Sequence, residues 1–154
     1  MRLLLISIGQ KMPEWAADAY AEYAKRLPAG FLQLIELPLG HRGKGADPAR
    51  AMADEGARML KAIPAEAHVI ALDPRGKALS TEELAAHMGE WMQGGRDVAL
   101  LVGGPDGLSA DCLARAHQRI SLSRLTFPHM LVRVILAEQL YRAWTILQHH
   151  PYHR

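Results

Sequence analysis

Four short apolar runs, at residues 2–8, 31–37, 67–72 and Val98–Val102, are each closed by glycine, proline or aspartate and separated by stretches of helical periodicity. Runs of that length between turn residues read as buried strands. Between the first two, Pro13 takes a first-turn position, with Glu14 and Asp18 toward the positive end of the helix dipole. Ala16, Tyr20, Tyr23, Ala24 and Leu27 then recur at helical spacing up to Pro28. Asp47-Pro48 opens a second helix to about residue 63 by capping and by proline's preset φ. Asp73-Pro-Arg-Gly-Lys77 reads as the exit turn of the third strand. Ser80 and Glu83 have the spacing of a capping box for a third helix that ends at Gly94-Gly95. Ser109 caps a short fourth helix, and residues 119–121 form a short fifth strand. This alternation predicts an α/β fold, a mostly parallel sheet with helices on both faces. No repeat, low-complexity tract or linker interrupts the 154 residues, so residues 1–154 are read as one domain.

A last helix is expected over about 130–147. Leu131, Val132, Val134, Ile135, Leu136, Leu140, Tyr141, Trp144, Ile146 and Leu147 cover far more than one stripe of it. A helix apolar over most of its circumference needs cover on two sides, and one sheet supplies only one. A second copy of the chain is the natural cover for the other, which predicts a homodimer through this helix with Leu140 in the contact.

Charge is unevenly placed. Residues 1–114 carry 12 Lys/Arg against 15 Asp/Glu, a balance of −3; residues 115–154 carry 6 Arg against Glu138 alone, a balance of +5. Five of the eight histidines also lie in that last stretch, which points to a basic face for an anionic partner such as nucleic acid. Cys112 is the single cysteine, so no internal disulfide is possible and a reducing cytoplasm is the expected setting. The apolar start of the chain is too short for a signal peptide, and no run approaches the length of a membrane span. His149, His150 and His153 have no accompanying cysteine or carboxylate cluster, and Pro151 breaks helical pairing among them, so no metal site is expected.

The unusual residues gather between Val98 and Trp144. Gly103-Gly-Pro-Asp-Gly107 follows the fourth strand but is neither a dinucleotide fingerprint nor a Walker A loop. Ile120-Ser-Leu-Ser-Arg-Leu-Thr-Phe-Pro-His129 leads into the last helix, and no G-x-S-x-G elbow supports its serines as nucleophiles. Loops at the carboxyl ends of strands are where open α/β sheets bind ligands, so these two imply one pocket walled largely by main chain. The basic loop Gly40-His-Arg-Gly-Lys-Gly45 reads equally as a solvated linker or a phosphate contact. Glu138 and Arg142 are spaced as an i, i+4 ion pair.

Several motifs stand in order along the whole chain. They are Lys11-Met-Pro-x-Trp15, Arg42-Gly-Lys44, Leu72-Asp73 with Gly76-Lys77, and Gly103-Gly-Pro-x-Gly107. Ser121-Leu-Ser-x-x-Thr126-x-Pro-His129, Glu138-Gln-Leu-Tyr-Arg-Ala143 and a terminal Pro151-Tyr-His-Arg154 follow. Together they resemble the ribosomal RNA large-subunit methyltransferase H family, a minimal member of the SPOUT class. His41 and Gly45 depart from the Lys and Asn expected there.

The resemblance implies S-adenosylmethionine as cofactor and N3 of a pseudouridine in 23S rRNA, within the ribosome, as target. It also implies a homodimer and a deep trefoil knot at the carboxyl end of the chain. The cofactor residues it implies are Leu72, Gly103, Leu122, Ser123, Arg124, Leu125, Thr126 and Phe127, with Arg124 pointing outward. A cationic sulfonium is ill served by unpaired arginines. The N3–H must lose a proton, and the implied catalytic set is Tyr152, His153 and Arg154 with Glu138 and Arg142 behind them. His129 is expected to shape the cofactor loop or meet RNA. A non-catalytic RNA-binding module of the same fold and a related tRNA methyltransferase are the alternatives.

Overall fold

The computed structural model describes residues 1–153, and of His153 the backbone alone. Five strands, β1 (Leu3–Ile8), β2 (Leu32–Leu37), β3 (His68–Ala78), β4 (Val98–Val102) and β5 (Gln118–Ser121), form one sheet in the order β2-β1-β4-β3-β5. Every pairing is parallel. The connections carry α1 (Glu14–Ala24), α2 (Pro48–Ala62), α3 (Thr81–Gly94), α4 (Ala110–Arg115) and α5 (His129–Leu147), and a 3-10 turn at Pro151–His153 follows.

The central strands are buried on both faces, as continuous apolar runs must be. Along β1, Leu3 and Leu5 enter one core with Tyr20 of α1, Met88 of α3 and Leu140 of α5. Leu4, Ile6 and Ile8 enter a second core with Met59 of α2 and Cys112 of α4. In β4, Val98, Leu100 and Val102 face the first core, Ala99 and Leu101 the second. Period-2 alternation thus places helices on both faces. Each large side chain so buried contributes roughly 1.5–3 kcal/mol.

The helix starts follow their local chemistry. Asp47 accepts from the Ala49 N–H at 3.0 Å, with Pro48 in the first turn. Ser80 and Glu83 exchange both bonds of a capping box at 3.1 Å, which holds the Glu83 carboxyl below its usual range. Gly95 closes α3 at φ 72°, a left-handed position.

The third strand departs from expectation. The expected exit turn at 73–77 is an excursion within β3, which leaves the sheet after Leu72 and returns at Lys77; both residues pair with Ile120. Gly76 makes the return possible: a Cβ there would lie 2.6 Å from the Arg119 carbonyl carbon and 2.7 Å from the Ile120 nitrogen. Leu140 is also corrected. It is fully buried within the protomer, so it is a core residue and not a contact between copies. No helix of the described residues is long and apolar enough to cross a membrane.

Candidate active site

The carboxyl ends of β3, β4 and β5 meet the start of α5 around two adjoining cavities. One, of about 350 Å³, is lined by Leu72 and Asp73 from β3, Gly103, Gly104, Pro105 and Gly107 of the glycine turn, Ser121 to Ser123, Leu125 to His129, and Val132. The other, of about 450 Å³, lies between α3 and α5 and includes Ser80, Thr81, Ile135 and Gln139. Leu72, Ser121, Leu122, Ser123 and Phe127 border both. Of the residues expected at a cofactor, Leu72, Gly103, Leu122, Ser123, Leu125, Thr126 and Phe127 therefore come together on the smaller cavity. Arg124 is exposed and lines neither cavity.

The two serines of the hydroxyl-rich loop use their hydroxyls internally. The Ser121 hydroxyl donates to the Ser123 carbonyl at 2.9 Å, and the Ser123 hydroxyl accepts from the Leu125 N–H at 2.9 Å. Such side-chain-to-backbone bonds fix the loop path. Recognition along this stretch then falls to main-chain groups and to the exposed side chains of Leu125 and Thr126. Pro128 precedes α5 without a side-chain cap, so the first amides of the helix stay uncapped beside the cavity.

The glycine turn is closed on itself. A Cβ at Gly103 would stand 2.5 Å from the Gly107 carbonyl carbon, and Gly107 has φ 86°. Behind Gly104 lies Glu55, whose carboxylate would be 3.2 Å from a Cβ there. Glu55 is buried and accepts from the Gly40 N–H at 2.9 Å and from both terminal nitrogens of Arg42. Arg42 also donates to Asp106 at 3.2 Å, and these carboxylates hold its guanidinium firmly charged. Arg42 of the basic loop thus braces the glycine turn, which neither reading of that loop had foreseen.

Arg133 was likewise missed as a site-building residue. Its fully buried guanidinium donates to the Ser7 hydroxyl at 2.9 Å, Glu36 at 2.7 Å and the Gly9 carbonyl at 2.7 Å. It ties the second turn of α5 to the ends of β1 and β2. An arginine in the midst of so apolar a helix was the available signal. His129, on the cavity wall, has its pKa lowered by burial and by nearby Arg133, against an opposing pull from Glu55.

The tail residues form a separate cluster. Arg142 donates to Glu138 at 2.8 Å and lies 4.9 Å over the Tyr152 ring, which packs on Tyr141 at 4.6 Å. Burial, first, and the Glu138 charge keep the Tyr152 phenol protonated above its ordinary range. Gln139 donates to Glu138 at 3.2 Å and accepts from the Thr81 hydroxyl at 2.7 Å. A polar chain therefore runs from Arg142 through Glu138 and Gln139 to the wall of the larger cavity. Neither Tyr152 nor Arg142 lines either of these two cavities. The side chain of His153 and all of Arg154 lie outside the described residues. Among the described residues, no group of three or more His, Cys, Asp or Glu is placed to hold a metal.

The family model described as "Predicted SPOUT methyltransferase" matches residues 1–153. The ribosomal RNA large subunit methyltransferase H of Alkalilimnicola ehrlichii is 66% identical, over 100% of this chain and 99% of its own length. The protein of the same name from Marinomonas sp. is 56% identical over the full length of both. Among solved structures, TrmJ from Z. mobilis superposes with a TM-score of 0.57 at 19% identity, covering 94% of this chain and 70% of that one. A probable methylase family protein from Haemophilus influenzae gives 0.57 at 15%, covering 99% and 70%; both establish likeness of fold. With the parallel sheet, the paired cavities and full-length identity of this order, the chain belongs to the SPOUT methyltransferases, in the ribosomal RNA large subunit methyltransferase H family.

Proposed function

We propose that this protein transfers a methyl group from S-adenosylmethionine to large-subunit ribosomal RNA, at N3 of a pseudouridine, on the ribosome in the cytoplasm. The observation that carries the reading is the smaller cavity, where loops from three strand ends present main-chain groups, apolar side chains and one carboxylate, with no lysine or arginine in the lining. That donor set fits a cationic nucleoside. When bound, S-adenosylmethionine supplies a methyl group on positively charged sulfur.

The protein's part is to position an acceptor nitrogen in line with that methyl and to manage its proton. Tyr152, protonated at neutral pH, and the charged Arg142 are donors suited to a pyrimidinone oxygen bearing developing negative charge. Glu138 orients Arg142. His153 is assigned the proton, and Arg154 an RNA phosphate or the base oxygen. The deep trefoil knot of the class belongs to the same proposal, and the loop at 122–127 that borders both cavities is the segment it would tie.

A homodimer completes the site. Leu131, Ile135, Glu138 and Arg142 lie on one face of α5 at i, i+4, i+7 and i+11, and neither Leu131 nor Ile135 packs into either core. A second copy on that face covers both and brings a tail cluster next to a cavity. Mass spectrometry of rRNA from cells with and without the gene tests the function. Loss of one methyl from a pseudouridine is expected. An unchanged rRNA with a lost methyl in tRNA, or no transfer by a protein that still binds ribosomes, would favour the alternatives.

A further inference from the structure

One residue that lines the smaller cavity carries a polar atom with no partner among the described residues. Asp73 is 8% exposed, and its Oδ2 is buried without a hydrogen-bond partner among the described residues. Its Oδ1 accepts from the Arg75 N–H at 3.1 Å, which fixes the carboxylate at the start of the β3 excursion. The Arg75 guanidinium stands 3.7 Å from Oδ1 but is 84% exposed, so solvent screens it. A buried acceptor left without a donor is costly unless something arrives to match it.

The surrounding charges say what would match. The cavity lining contains Asp73 as its one carboxylate and no lysine or arginine, beside Leu72, Val102, Phe127 and Val132. In a largely apolar lining, a carboxylate whose one cationic partner is solvent-screened favours a positive ligand over a neutral one of the same shape. The two forms of the cofactor differ in that respect: the donor carries a sulfonium, whereas the demethylated product carries a neutral thioether.

We infer that Asp73 is a specificity-determining residue, whose carboxylate recognises the positive charge at the sulfur position and so favours the charged donor over its neutral product. The inference rests on the cofactor reading above. It gives the enzyme a reason to release product: once the methyl leaves, the charge that Asp73 holds is gone.

Calorimetric titration tests this on the full-length protein with three probes: S-adenosylmethionine, S-adenosylhomocysteine, and an analogue bearing an amine-substituted carbon in place of sulfur. The unaltered protein should bind both cationic probes more tightly than the thioether. Asp73→Asn keeps the shape and removes the charge; it should weaken both cationic probes about tenfold while changing the thioether less than about threefold. Asp73→Glu should restore part of the preference. Equal losses for all three probes, or no loss, overturns the inference, because a merely structural role for Asp73 would not change the ratio. If Asp73→Asn does not fold, the unaltered protein still decides: no preference for the cationic analogue over the thioether refutes it. Failure of the unaltered protein to bind any of the three would instead sink the cofactor reading.

Discussion

The guanidinium of Arg133, on the second turn of α5, donates to the carbonyl oxygen of Gly9 at the end of β1, 124 residues earlier, at 2.7 Å. The same group satisfies the buried Ser7 hydroxyl. Replacing Arg133 by Met should therefore leave two buried acceptors unmatched and cost about 2–4 kcal/mol. Arg133→Lys should be milder but still destabilising, because a lysine cannot reproduce the planar fork. Chemical denaturation midpoints give both values; a neutral Arg133→Met would show that the buried network contributes nothing.

The Glu55 carboxylate, whose side chain is 3% exposed, depends on Arg42. Arg42→Met alone should destabilise by about 3–5 kcal/mol, because it strands a buried charge. Arg42→Met combined with Glu55→Gln should recover much of the loss, since the neutral amide needs no counter-ion. A double-mutant cycle on urea unfolding reads the coupling, and strictly additive losses would contradict the bracing role.

His129 has a depressed pKa in the folded protein, from burial first and Arg133 second. The sign follows from linkage. Above the unfolded value of about 6.5 both states are neutral and the fold keeps its full stability. As pH falls below that value, the unfolded chain takes up a proton that the folded site resists, and stability drops until the folded pKa is passed. Thermal melts between neutral and mildly acidic pH should show this fall, and His129→Gln should flatten it. An equal slope in the variant would assign the pH dependence to other groups.

The proposed interface can be separated from the core by two substitutions on one helix. Leu131 is partly exposed in the protomer, whereas Leu140 is completely buried. Leu131→Arg should give a folded monomer by sedimentation, with near-normal melting and lost methyl transfer. Leu140→Arg should prevent folding. A Leu131→Arg protein that remains dimeric with unchanged affinity would move the interface off this face.

Element order and the faces of the sheet were legible because strand burial and helix capping are local. Val98–Val102 and the Ser80–Glu83 box are written in consecutive residues. The loops expected to meet a cofactor come from the family motifs, and one cavity gathers their residues except Arg124. What escaped were matches between distant segments. Nothing near Arg133 in the chain announces Ser7 or Gly9, and nothing near Arg42 announces Glu55 or Asp106. The β3 excursion was hidden for a similar reason, since Gly76 looks like a turn glycine until Arg119 and Ile120 lie against it. Leu140 was misassigned because hydrophobicity alone does not tell the sheet-facing side of α5 from its open side.

The two walls of the smaller cavity differ in how they are held. The glycine turn is clamped through Asp106, Arg42 and Glu55, with Gly103 pressed against Gly107. The opposite wall hangs on two serine hydroxyl bonds and ends in Leu125, 71% exposed. The serine side is thus the less restrained of the two, and any change in the cavity's shape falls on it before it reaches the clamped glycine side.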